Sequence, residues 1–329
     1  MWEEVDFIYF QFRISNIGYK LPNLRNIRLE YVYFVKSLSD STPPNEFILP
    51  SNLHHFEIYY CKLINNEEIP DPFEFIFTKE FSQAVRIELK LPMCLVPSLK
   101  KLTFFYNNFG DCGLEKFLTL NPNLKALTLE YFNYSLIRNF FSIKSLEFKY
   151  IIGLDLNTPY LAINTITHLR INVANVNYYE AIKKLCFILP NLEYLYLNMC
   201  YEYCFQITID RFITPVLSNL FKLKTLELVL NENQSIDSNL TSNDETQDNL
   251  INNRDIHLAK LPNIDNLILD CDSKTMYNLN FKNCKTLKQV KLLSIEEINE
   301  IELNDKFEKF INWKFNFNKH TIRGYNTMM

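Results

Sequence analysis

Residues 97–124 read Pro97-Ser98-Leu99-Lys100-Lys101-Leu102-Thr103-Phe104-Phe105-Tyr106-Asn107-Asn108-Phe109-Gly110-Asp111-Cys112-Gly113-Leu114-Glu115-Lys116-Phe117-Leu118-Thr119-Leu120-Asn121-Pro122-Asn123-Leu124. One phrase opens this stretch and opens again at its end. A proline, a small polar residue and a leucine lead into apolar residues three and five positions further on. Leu99/Leu102/Phe104 and Leu124/Leu127/Leu129 fill those slots. The phrase recurs at Leu21-Pro22-Asn23-Leu24, Leu189-Pro190-Asn191-Leu192 and Leu261-Pro262-Asn263-Ile264, with frames Leu24/Ile27/Leu29, Leu192/Leu195/Leu197 and Ile264/Leu267/Leu269. Without the proline the frame appears at Leu53/Phe56/Ile58, Ala84/Ile87/Leu89, Ile143/Leu146/Phe148, Ile166/Leu169/Ile171, Leu223/Leu226/Leu228 and Leu287/Val290/Leu292.

Two apolar residues spaced by two lie on one face of a strand. The residue three earlier packs the bend that enters it. Proline just before the strand ends any preceding helix and is tolerated where no N–H is needed. Parallel strands need crossovers, and the intervening segments supply them. Asn177 is placed to cap a helix over Tyr178–Leu189, whose Ile182, Leu185, Cys186 and Leu189 share a face. No unit can bury its own apolar face, so the units must stack. The interval from Ala84 to Leu99 is too short for a full unit, so one of those frames is a false match or the chain turns irregularly there.

The chain has 329 residues, 47% of them hydrophobic, with 27 Phe, 19 Tyr and 5 Gly. This content excludes a disordered chain, and its glycines form no phosphate-cradling cluster. The abundance of Asn, Ile, Lys, Phe and Tyr suggests an AT-rich genome, in which an Asn can be a mutational default. A net charge of −4 argues against nucleic acid as a partner. No apolar run reaches the roughly 18 residues of a membrane span. The start carries Glu3, Glu4 and Asp6 and no basic leader, which leads us to expect a cytoplasmic or nuclear protein with its 8 cysteines reduced.

The run through residues 97–124 resembles the cysteine-containing leucine-rich repeats of F-box/LRR proteins, and more broadly the repeats of ribonuclease-inhibitor-like proteins. Asp111-Cys112-Gly113-Leu114 matches the helix-opening part of that pattern. Position nine of the repeat holds Cys61, Asn107, Cys200 and Asn231 in the matching units. The resemblance covers about residues 21–295 and implies an α/β leucine-rich-repeat solenoid, with a curved parallel sheet on the concave side and helices and irregular turns on the convex side. It also implies a protein-binding scaffold, and in its narrower form a substrate-recognition subunit of a Skp–cullin-type ubiquitin ligase, with ligase components as partners. No segment before Leu21 matches an F-box, so adaptor binding is not carried over.

The expected organisation is a capping segment over 1–20, with alternating Ile8, Phe10, Phe12 and Ile14, then repeats over 21–295. An acidic insertion interrupts them at 231–255, with Ser235, Ser238, Thr241 and Ser242 as conceivable phosphosites. A capping helix with helix-spaced Leu303, Phe307, Phe310 and Ile311 and a solvated tail then occupy 296–329. Trp2 and Trp313 are expected to seal the two ends.

No catalytic constellation is visible. The histidines His54, His55, His168, His257 and His320 stand in no zinc-ligand frame, and Cys200 and Cys204 lack a second pair. Asp270 and Asp272 flank Cys271 and would raise its pKa. No cofactor, metal or catalytic residue is therefore expected. An enzyme with a cysteine or metal site in an irregular unit, and a degenerate paralogue with no specific partner, stand as alternatives. The candidate partner-binding residues are those whose side chains point to the concave face: Glu57, Glu88, Glu130, Glu147, His168, Arg170, Tyr194 and Tyr196. Tyr194 and Tyr196 beside His168 and Arg170 have the composition of interface anchors. On this register Tyr196 belongs to an exposed lane.

Overall fold

The structure is a computed structural model that describes residues 21–35, 49–64, 79, 83–106, 112–152, 154–174, 176–201, 205–232, 255–261 and 264–328. The expected N-terminal strand with Trp2, the phosphosites of the insertion, Asn107, Cys204 and the side chains of Cys200 and Asn231 lie outside the described residues. The chain divides into two compact units, Met1–Lys144 and Ser145–Met329. Each is α/β.

In the first unit a parallel sheet runs β1 (Asn26–Glu30), β3 (His55–Tyr59), β6 (Lys101–Phe105), β7 (Ala126–Tyr131). A second sheet joins β2 (Tyr33–Val35), β4 (Lys62–Ile64) and β5 (Arg86–Glu88). Helix α1 (Leu114–Leu120) connects β6 to β7, and α2 (Tyr134–Ile137) follows β7.

The second unit continues the motif with β8 (Ser145–Tyr150), β9 (His168–Ala174), β10 (Tyr194–Tyr201), β11 (Thr225–Glu232), β13 (Asn266–Asp270) and β15 (Gln289–Leu293), all parallel. A short bridge pairs β12 (Ile256–His257) with β14 (Leu279–Asn280). Its helices are α3 (Tyr179–Ile188), α4 (Phe205–Thr208) and α5 (Thr214–Leu217) joined by a π-turn over Ile209–Ile213, α6 (Ser273–Tyr277) and α7 (Glu300–Phe307). The sheet ends in an antiparallel hairpin, β16 (Trp313–Asn318) and β17 (Thr321–Asn326), with β17 antiparallel to β15.

Ten of the eleven frames fall on parallel strands, four in the first unit and six in the second. The register aligns like slots: Phe56 pairs with Leu102 and Leu102 with Leu127, while Leu169, Leu195, Leu226, Leu267 and Val290 follow one another across the parallel strands of the second unit. These side chains are buried. Removing each from water contributes about 1.5–3 kcal/mol, which explains why the register cannot slip.

The proline of the phrase does something other than start a strand. Leu24 N–H donates to Leu21 O at 3.1 Å, Leu99 to Val96 O at 3.0 Å and Leu124 to Asn121 O at 3.2 Å. Pro22, Pro97 and Pro122 therefore occupy the second position of a β-turn, where a fixed φ is favourable. The following polar residues tie one unit to the one before: Asn123 Nδ2 donates to Pro97 O at 3.4 Å and Asn191 Nδ2 to Asn164 O at 2.8 Å.

One open alternative is settled and four expectations are corrected. The Ala84 frame is the false match: β5 is antiparallel to β4 in the small sheet, and Ile87 is exposed. The cap of α3 falls on Tyr178, after a 3-10 turn over Val176–Tyr178, and makes no side-chain capping bond. Its buried face holds Ile182, Leu185 and Cys186 as expected. The capping helix is confined to Glu300–Phe307, and the segment from Lys314 to Arg323 is a hairpin rather than a solvated tail. Trp313 is buried on β16, 5.1 Å from the Phe281 ring. Finally, Tyr196 is buried, at 9% exposure.

Candidate interaction face

On the main parallel strands of each unit the residues between the buried frame positions point to the opposite face. In the second unit the pairing sets these residues in two lanes. The central lane runs Glu147, Arg170, Tyr196, Glu227, Ile268, Lys291 and Arg323; the leading lane runs Ser145, His168, Tyr194, Thr225, Asn266, Gln289 and Tyr325.

Arg170 is the hub of this face. Its guanidinium lies 3.7 Å from the centroid of the Tyr196 ring, donates to Tyr194 Oη at 2.8 Å and stands 3.7 Å from Glu227. Tyr194 Oη in turn donates to Glu227 Oε2, and its ring stacks on His168 at 5.7 Å. Glu147 accepts from Asn172 Nδ2 at 2.8 Å. Burial and the hydrogen bond to Glu227 push the Tyr194 phenol well above its usual range, so it keeps its proton and remains a donor. Burial, and then the Glu227 charge, raise the Asp270 carboxyl. The buried ring of Tyr196 is covered by a cation held in place from two other directions, which is why the register alone misjudged its exposure.

Five expected residues, Glu147, His168, Arg170, Tyr194 and Tyr196, thus share one face of the second unit. Glu57 and Glu130 lie in the first. Glu57 stands 3.7 Å from Lys101. Glu130 is buried and accepts from Tyr60 Oη at 2.8 Å, while its second oxygen has no hydrogen-bond partner among the described residues. Glu88 lies elsewhere, on β5 of the small sheet, 4.0 Å from Lys62. Glu227 was not singled out from the sequence, although the frame places it in the central lane.

The sequence reading also missed two tyrosines. Tyr31 and Tyr60 follow β1 and β3 at equivalent positions and have left-handed backbones, φ +53 and +51. Their rings stack at 5.4 Å. Aromatic residues seldom adopt this conformation, at a cost of about 1–3 kcal/mol each. Bonds from Tyr31 N–H to Tyr59 O and from Tyr60 N–H to Phe105 O hold the turns. The signal in the sequence was only that a tyrosine stands two residues after the last frame position in both units.

Burial governs the cysteines. It pushes the thiols of Cys186 and Cys284 up to about 12 and that of Cys61 to about 11, and raises those of Cys94 and Cys271. For Cys271 burial comes first and the flanking carboxylates second. Such thiols are protonated near neutrality and are poor nucleophiles. Among the described residues no group of three or more His, Cys, Asp or Glu side chains is close enough to hold a metal ion, and no helix is long and apolar enough to cross a membrane.

Stacked units of one parallel strand and one crossover, carrying the repeat frame, point to the leucine-rich-repeat proteins, and the comparison with known proteins supports that relationship. A stretch of 118 residues, 36% of this chain, is 30% identical to leucine-rich repeat-containing protein 56 of Mus musculus. The match spans 20% of that protein's length. No family model matches the chain.

Proposed function

We propose that the chain is a leucine-rich-repeat solenoid and a non-catalytic scaffold that binds another protein through the polar face of its parallel sheet, the concave side of the solenoid. The observation that carries this reading is the Arg170–Tyr194–Tyr196–Glu227 cluster beside His168. Tyrosine and arginine dominate interface energetics. Here their side chains are fixed by mutual hydrogen bonds and ring contacts before any partner arrives, which reduces the entropy lost on binding. The likeness to a leucine-rich-repeat protein supports the same reading. Glu147 extends the contact within the second unit as a polar rim residue, whereas Glu57 and the buried Glu130, in the first unit, and Glu88, on the small sheet, are not part of this proposal.

The test is affinity capture with the full chain in its native cell, run beside His168→Ala/Tyr194→Ala. A partner retained by the wild type should be lost from the double variant, while circular dichroism shows both to be folded. Equal recovery of that partner by both would remove the face from consideration. The narrower assignment, substrate recognition for a Skp–cullin-type ubiquitin ligase, rests on the resemblance of residues 97–124 alone. Absence of every ligase component from complexes isolated under conditions that preserve such assemblies would rule it out.

A further inference from the structure

A second site lies at the C-terminal end of the second unit, and none of the lane residues lines it. A cavity of about 570 Å³ opens there between the loop after β14 and the start of the hairpin. Its volume is within the range of ligand sites. Phe281, Phe310 and Trp313 make its floor. All three are buried, and the Phe281 ring lies 5.4 Å from Phe310 and 5.1 Å from Trp313. At the same cavity Ile311 and Met328 face water, at 88% and 73% exposure.

The wall has the opposite character. Lys282, Lys285 and Lys309 line it, all three exposed, and no carboxylate lines it among the described residues. Elsewhere in this unit lysines find acidic partners: Lys224 with Glu193 at 2.8 Å, Lys260 with Asp210 at 2.9 Å, Lys288 with Asp265 at 3.1 Å. Lys282, Lys285 and Lys309 form no ion pair among the described residues. A cationic concentration on a chain of net charge −4 creates a local field that attracts an anion.

The occupant follows from this combination. An inorganic anion would leave the aromatic floor unused, and a neutral apolar ligand would leave the three ammonium groups unused. The side-chain amides of Asn283 and Asn312 also line the cavity and make no hydrogen bond among the described residues. An amide offers a donor and an acceptor together, which suits a peptide backbone and not an acyl chain. Asn326, by contrast, is committed to the fold, donating to Cys284 O and Leu287 O at 3.1 Å each. We infer that this cavity docks an acidic peptide segment of a partner protein, with a bulky apolar side chain seated on the Phe281–Phe310–Trp313 floor and flanking carboxylates on the three lysines.

The test is fluorescence anisotropy on the full chain, using a short dye-labelled peptide with a Leu-Phe pair flanked by Asp and Glu. Its controls are the same peptide with every acid replaced by its amide, inorganic phosphate, and phosphatidylserine vesicles. The acidic peptide should bind more weakly as salt rises, and at least about tenfold more tightly than the amide peptide. Lys282→Glu/Lys285→Glu/Lys309→Glu should abolish binding, and Ile311→Asp should weaken it. These residues are exposed, so both variants should keep the wild-type melting temperature. No binding of the acidic peptide, equal binding of the amide peptide, or undiminished binding by the triple variant would overturn the inference. Lysine-dependent binding of phosphate or vesicles without peptide binding would overturn it in favour of that anion.

Discussion

Tyr194 and Tyr196 stand two residues apart on β10, and the alternation of a strand turns both to the same face. What separates them is Arg170 on the neighbouring strand, which lies over one ring and hydrogen-bonds the hydroxyl of the other. Leu195 between them is fully buried on the opposite face. Leu195→Ala should cost about 2–5 kcal/mol in chemical denaturation, as truncation of a buried leucine does. Tyr196→Ala should cost about 1–3 kcal/mol, because a covered ring and its cation contact are lost together. A stability of Tyr196→Ala equal to wild type would mean that the ring is not covered in solution. Gly113 presents a different constraint at the same scale. It caps α1 with φ +82, and a Cβ there would meet Leu91 O at 3.3 Å. Gly113→Ala should therefore lower stability by about 1–2 kcal/mol, measured the same way. Asn121 shows that an Asn in this Asn-rich chain is not always a default. It is buried, its Oδ1 accepts from Val96 N–H at 2.7 Å, and its Nδ2 serves Cys94 O and Phe117 O at 3.1 and 2.8 Å.

At the scale of elements, the strands were legible because each repeats one apolar frame, and a register error would turn every leucine out of the core. The Ala84 frame has the same spacing, yet its neighbours set β5 antiparallel in another sheet; spacing alone carries no information about pairing partners. The C-terminal hairpin was missed for a related reason. Trp313, Phe315 and Phe317 alternate with Lys314, Asn316 and Asn318, a strand pattern, but the frame that marks the other strands is absent. Of the candidate face, the residue types and the lane were readable, whereas the bonds that bury Tyr196 and fix Tyr194 depend on side chains meeting across strands. The hairpin covers the edge of β15, which would otherwise present unpaired backbone groups. Gly324 makes that cover possible: a Cβ there would lie 2.5 Å from Phe315 Cε1 and 2.6 Å from Val290 Cγ1. Gly324→Ala should force the hairpin outward and cost about 1–3 kcal/mol. Hydrogen exchange should show the loss of protection concentrated in β16 and β17. Uniform protection equal to wild type would mean that the strands are not packed as described.

Across the molecule, the leucine layers also contain cysteines, and their titration gives a readout of whether those layers are closed. Cys61 lies in the first unit and Cys186 and Cys284 in the second, all buried. Burial lifts their thiols from an ordinary value near 9 to about 11, about 12 and about 12. Above pH 9 the unfolded chain releases these protons while the folded chain retains them. The unfolded state then binds fewer protons, and stability falls as pH rises. The contribution is complete below pH 9 and is lost progressively as pH rises towards 11 for Cys61 and 12 for Cys186 and Cys284. Each thiol adds a slope of up to about 1.4 kcal/mol per pH unit within its window. Urea midpoints should accordingly be flat from pH 7 to 8.5 and decline steadily above 9. Cys186→Ala, which removes one titrating group, should lower the starting stability but also flatten the alkaline decline. Site-resolved alkylation at pH 8, read by mass spectrometry, should find Cys61, Cys186 and Cys284 unmodified in the folded chain and modified in urea. Rapid modification of any of the three without denaturant would mean that its layer is open, and would revive a cysteine-based chemistry for this protein.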